Sequence, residues 1–145
     1  MADKTVTLYV DTQNIMPATM DASCDFGQNK SVTKNKDYST ILNLNKGKGP
    51  ADRIIWKASP KAKGNEPGSK DTVEISAIWC DLDNTGVNVL GSFGTTANGD
   101  LYGIPNNPTK GETYTIYFTV YNQLDDKSLV LRGVYFVDPK IEVNP

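Results

Sequence analysis

An all-β domain, an antiparallel β-sandwich of about seven to nine short strands, is the fold class this sequence predicts. Three observations carry the prediction. Apolar and polar residues alternate over several stretches, whereas apolar residues at helical spacing are hard to find anywhere. Clusters of Gly, Pro, Asn and Asp separate these stretches, and strands do not alternate with helices as a parallel α/β sheet requires. The chain of 145 residues has the size of one domain, here 1–145. At that length folding buries about two thirds of the unfolded surface, so one core suffices.

The first strand starts almost at the N-terminus, where Val6, Leu8 and Val10 point one way and Thr5, Thr7 and Tyr9 the other. Residues 11–38 are polar, with Ile15, Met16, Met20, Phe26 and Val32 as scattered anchors. They predict a long loop, or a loop with a short helix. Ser39–Leu44 is a short apolar run, closed by the Gly- and Pro-bearing turn Asn45–Pro50. Arg53–Ala58 is the next strand, with Ile54, Trp56 and Ala58 on one face, and Ser59–Lys70 is an exposed excursion rich in Pro, Gly and Lys. In Thr72–Cys80, Val73, Ile75, Ala77 and Trp79 alternate with Glu74, Ser76 and Ile78. By phase both Trp56 and Trp79 belong in the core.

After the Asp81–Gly86 turn comes a strand over Val87–Phe93. Asn98-Gly99 suits a type I′ turn, which needs positive φ at both central residues, and it joins Phe93–Thr96 to Asp100–Ile104 as a hairpin. The clearest strand is Glu112–Asn122, with Tyr114, Ile116, Phe118 and Val120 on one face and Thr115, Tyr117, Thr119 and Tyr121 on the other. Leu129–Val137 pairs with it across a short connection. Leu129, Leu131 and Tyr135 are then expected to be buried with the apolar row. Asp138-Pro139 bends the chain into a last strand, Ile141–Val143.

Composition removes several function classes. Histidine is absent, and with it go the usual general base, the commonest metal ligand and every Ser-His or Cys-His nucleophile pair. No Gly-rich phosphate loop of either standard type is present. The formal charge is −2, so no global basic field draws in nucleic acid or an anionic membrane. Lys30–Lys63 alone is net basic, but Lys outnumbers Arg thirteen to two, and Arg is the residue that grips phosphate with two bonds. Solvated lysines on loops explain that segment. Residues 1–20 carry no apolar block of signal-peptide or membrane-spanning type, which makes the cytoplasm the expected compartment. There, Cys24 and Cys80 are expected as free thiols.

Two features could bind a ligand. Asp81, Asp83 and Asn84 put side-chain oxygens close together on a strand-ending loop, as a calcium site needs, although the same residues are ordinary turn formers. Trp56, Trp79, Tyr9, Tyr102, Tyr117 and Tyr121 could offer stacking faces to a sugar ring, although aromatics on strands more often serve the core or the sheet surface. Asp81, Asp83, Asn84 and Tyr102 are the candidate ligand-binding residues for a lectin-like carbohydrate binder, with calcium as its candidate cofactor.

Several segments read together carry a likeness: Val10-Asp11-Thr12 at the end of the first strand, the Asp52–Trp56 segment DRIIW, and the tail Phe136–Val143 with its Asp-Pro. In these the chain resembles the PixA inclusion-body protein family, which includes AidA-type quorum-regulated proteins. Val137 stands where many members have Trp. The resemblance implies an abundant bacterial cytoplasmic protein, of a kind that in some members collects in inclusions, with no catalytic residue to carry over. Together with the His-free composition and a net charge too small for strong self-repulsion, it leads to the expectation of a non-enzymatic protein that self-associates as a homo-oligomer or larger assembly. The carbohydrate binder is the alternative.

Overall fold

The computed structural model describes residues 1–27, 34–61, 70–80 and 89–145. Eleven strands occur among them: β1 (Asp3–Val10), β2 (Cys24–Asp25), β3 (Ser39–Asn43), β4 (Arg53–Pro60), β5 (Thr72–Trp79), β6 (Leu90–Thr95), β7 (Leu101–Pro105), β8 (Thr109–Thr113), β9 (Thr115–Gln123), β10 (Leu129–Val137) and β11 (Lys140–Asn144). The only α-helix among the described residues is the single turn α1 (Met20–Ser23). The all-β expectation therefore holds, with eleven strands among the described residues where about seven to nine were expected.

The strands form three sheets, in the orders β2-β1-β4-β7-β6, β10-β9-β5 and β3-β11-β8. Two ladders are parallel, β1 with β4 and β11 with β3, and this corrects the all-antiparallel expectation. A parallel pair needs a long connection between its strands. Residues 11–52 supply it for β1 and β4, and on the way they place β3 in a different sheet. In this connection Ile15 is buried and Phe26 stacks on Tyr38 with ring centroids 4.3 Å apart, so these anchors hold. Met16, expected as another, is exposed. Val32 lies outside the described residues.

The strand expected over Glu112–Asn122 is two strands. The chain turns a corner at Tyr114, whose N–H donates to the Pro139 carbonyl, so that β8 pairs with β11 while β9 lies between β5 and β10. The hairpin between β6 and β7 is present, but its turn is a different one. Gly99 N–H closes onto the Thr96 carbonyl, and Gly99 alone takes a positive φ of 86°, in place of the two positive φ values of a type I′ turn.

Residues from all three sheets form one buried cluster, with Leu8, Leu42, Ile54, Trp56, Phe118 and Ile141 at or near zero exposure. Trp56 sits within it as expected, and its indole N–H donates to Tyr114 Oη at 3.1 Å. Tyr114, Ile116, Phe118 and Val120 are all buried, and Tyr135 packs against them. Trp79, Leu129 and Leu131, expected beside them, are 59%, 51% and 59% exposed.

Both departures have one cause. The β5 ladder runs Ile75 opposite Phe118 and then Ala77 opposite Tyr117, leaving Ser76 as a bulge. The β10 ladder runs Leu131 opposite Tyr121 and then Gly133 opposite Val120, leaving Arg132 as a bulge. One extra residue in a strand reverses the inward and outward sense of everything beyond it. Ala77 and Trp79, and on the other side Leu131 and Leu129, are thereby carried to the outer face.

Candidate functional site

The two bulges build the most distinctive surface of the molecule. On the outer face of the β10-β9-β5 sheet stand Leu129, Leu131, Val134 and Phe136 from β10, Tyr117 and Tyr121 from β9, and Ala77 and Trp79 from β5. Val134 is 60% exposed and Phe136 55%, and the Phe136 ring lies 5.9 Å from that of Tyr117. Charge is nearly missing here among the described residues. Glu74 is the acid on the face, and Arg132 is turned away, its guanidinium donating to the Ile15 carbonyl and to Asn122 Oδ1. Trp79, Leu129, Leu131, Val134, Phe136 and Tyr117 together present on the order of 600 Å², at the upper end of what a monomeric surface normally leaves as one apolar patch.

Two cavities adjoin this sheet. One, of about 350 Å³, is lined by Val134–Asp138 on one side and by Pro17, Met20, Asp21, Asn35 and Lys36 on the other. The second, of about 470 Å³, lies where β7 stops pairing with β4 at Trp56 and β4 runs on toward β5. Its lining is more polar and includes Lys57, Glu74, Thr95 and Asp100, with Lys57 Nζ 3.5 Å from Asp100 Oδ2.

Of the residues put forward from the sequence, Asp81, Asp83 and Asn84 lie outside the described residues. Tyr102 is half-buried on β7 and lines neither cavity. The Arg53 guanidinium lies 4.8 Å from its ring centroid and is itself held by two bonds to the Asp3 carboxylate, at 2.9 and 2.8 Å. Among the described residues no group of three or more His, Cys, Asp or Glu could hold a metal ion.

The acids of the three family-like segments serve the fold. Asp11 accepts from the backbone N–H groups of Gln13 and Asn14 and from the Asn14 side chain, closing the turn after β1. Asp52 accepts from the N-terminal Ala2 N–H, from the backbone and side chain of Asn43, and from Asn45, tying β3 to the start of β4. Asp138 accepts from the Thr115 hydroxyl at 2.6 Å, bracing the entry to β9.

Sequence reasoning passed over a fourth acid, Asp71, which accepts as many hydrogen bonds as Asp52. Its Oδ2 accepts from Thr12 Oγ1, Gln13 Nε2 and Asn122 Nδ2 at 2.6, 2.6 and 2.9 Å, and its Oδ1 from Gln123 N–H at 2.7 Å. Burial raises the pKa of Asp52 and of Asp71, but in each the converging donors outweigh it, and both carboxyls titrate below the ordinary value. The signal for Asp71 in the sequence was its place one residue before a strong strand, where a buried acid caps a junction.

Cys24 and Cys80 form no disulfide with one another. Burial pushes the Cys24 thiol up to about 12, which leaves it protonated and without nucleophilic character at neutral pH.

No family model matches the chain, and no curated protein does. Among solved structures it is similar to the crystal structure of an inclusion body protein of the PixA family from Burkholderia cenocepacia J2315, with a TM-score of 0.61 over 99% of this chain and 97% of that one, at 12% identity. The fold of this chain is thus the fold of that protein, over nearly the full length of both.

Proposed function

We propose that this chain is a non-enzymatic, inclusion-body-type β protein whose function rests on self-association, in a cytoplasmic setting. The observation that carries the reading is the outer face of the β10-β9-β5 sheet, a surface of aromatic and branched aliphatic residues with little charge among the described residues. Left in water, that surface costs free energy in proportion to its area, and burying it against the same surface of a second copy recovers the cost. About 600 Å² per copy approaches the roughly 800 Å² that each partner contributes to an interface of standard size. A net charge of −2 opposes association only weakly. The fold shared with a PixA-family inclusion body protein supports the same reading. Analytical ultracentrifugation over a wide concentration range tests it: the wild type should associate and Phe136→Lys should shift toward monomer. A wild type that stays monomeric throughout refutes it.

A saccharide ligand is the second reading, favoured by the polar cavity between β4, β5 and the β6–β7 turn. Its carboxylates can accept from sugar hydroxyls, Lys57 and Thr95 can donate, and Ala58 and Leu101 offer apolar contact to a ring face. A glycan array run with and without calcium tests it, and no bound saccharide in either condition removes it.

A further inference from the structure

We infer that the cleft of about 350 Å³ between β10 and the segment around Met20 binds a small organic amine, an apolar ring or chain that ends in an ammonium group. The site shares Val134 and Phe136 with the outer face of the sheet but needs no second copy. One wall is the end of β10. It contributes Tyr135 and Val137, which point toward the core, and Val134 and Phe136, which point away from it, so the cleft runs beside the strand. The other wall is Pro17, Met20 and Asp21 together with Asn35 and Lys36. Two hydrogen bonds join its two pieces of chain. The Asn35 N–H donates to Asp21 Oδ1 at 2.8 Å, and Asn35 Nδ2 donates to the Met20 carbonyl at 3.2 Å. The folded chain therefore holds the cleft ready-made, and its volume lies near the lower end of the roughly 300–1,000 Å³ of small-molecule pockets.

The polar groups on these walls are mostly acceptors. Asn35 is only 7% exposed, yet its side-chain oxygen receives no hydrogen bond from the described residues. Among the described residues, Thr40 Oγ1 alone is both sealed from solvent and unpartnered. The Asn35 oxygen is therefore still reachable, and the cleft that Asn35 lines is the route to it. A ligand N–H would supply the donor that this oxygen lacks. Asp21 uses only Oδ1 in its bond to Asn35, and Asp138 only Oδ1 in its bond to the Thr115 hydroxyl, so each keeps its second oxygen for a ligand. Against these acceptors stands one donor side chain, Lys36, which is exposed. Two carboxylates and one ammonium leave the lining formally negative by one charge, which favours a cation over an anion. The ring faces of Tyr135 and Phe136 attract a cation as well. Pro17, Met20, Val134 and Val137 supply apolar contact for the rest of the molecule.

Phenethylamine and hydrocinnamate test the site, because they share a ring and a chain and differ in the sign of the terminal charge. Added to isotope-labelled full-length protein, the amine should shift the amide resonances of Met20, Asn35, Lys36 and Tyr135–Val137, and its Kd should be at least about tenfold below that of the acid. Asp21→Asn keeps an oxygen for the Asn35 N–H and removes one charge from an exposed position, so the fold should persist while amine binding weakens about tenfold. No saturable shift with the amine up to about 10 mM overturns the site, as do shifts confined to Lys57, Glu74 and Asp100 around the other cavity. Equal affinity for amine and acid, or unchanged amine affinity in Asp21→Asn, overturns the assignment of a cationic ligand.

Discussion

Replacing Asp71 removes an acceptor that four donors share, and the structure allows the cost to be worked out. In Asp71→Ala, Gln13 is exposed and turns its amide to water, while Asn122 Nδ2 keeps its bond to the Thr12 carbonyl at 2.9 Å. The Thr12 hydroxyl, only 2% exposed, and the Gln123 N–H lose the carboxylate as their acceptor. A buried donor left unpaired costs about 1–3 kcal/mol, so the pair costs about 2–6 kcal/mol against a typical domain stability of about 5–15 kcal/mol. At about 2–4 °C per kcal/mol for a chain of this size, the thermal midpoint should fall by roughly 10 °C at pH 7.

Asp71→Asn tests the charge separately. The folded-state pKa of Asp71 is depressed, so its ionisation adds stability above the unfolded value of about 3.9, and that contribution is lost as the pH falls through the folded value. Urea unfolding at pH 7 should place wild type well above Asp71→Asn, and the gap should close below about pH 4 as the wild type alone loses this term. An Asp71→Ala midpoint within about 2 °C of wild type, or a gap that does not change between pH 7 and pH 3, would refute the reasoning.

Trp56→Ala should cost roughly 3–5 kcal/mol, since it empties a buried site and strands the Tyr114 hydroxyl, whereas Trp79→Ala should move stability by about 0.5 kcal/mol. Fluorescence checks the assignment directly: Trp79→Phe should leave a blue-shifted native spectrum from Trp56, and a red-shifted one would contradict the burial. Gly103→Ala would set a methyl group 2.9 Å from Trp56 Cη2, a ring atom that cannot retreat without breaking its packing, so a loss of about 1–3 kcal/mol is expected in chemical denaturation. Cys24, 1% exposed with its pKa pushed up to about 12, should resist a thiol reagent at pH 8 until denaturant is added, and rapid native labelling at that position would count against the buried site.

Local pattern was enough for most of the elements. The alternation of Val6, Leu8 and Val10, or of Ile116, Phe118 and Val120, repeats at the period at which a half-buried strand must repeat, and these residues are in the core. The absence of histidine was visible at once, and so was the pairing of β9 with β10 across a short connection. The sequence alone did not reveal which strands run parallel. β1 with β4 and β3 with β11 are pairings between distant segments, and loop-closure entropy barely distinguishes one distant partner from another.

The candidate surface was decided even further from the sequence. An unbroken count of two puts Trp79 with Val73 and Ile75, and Leu131 with Tyr135. Single-residue bulges at Ser76 and Arg132 reverse that count and turn both rows outward. Whether a strand bulges depends on how its ladder must bend to meet the neighbouring sheet, a tertiary demand with no mark in the residues themselves. The sequence determined that this chain would have strands with apolar rows. Only the packing of its three sheets decided which rows became core and which became surface.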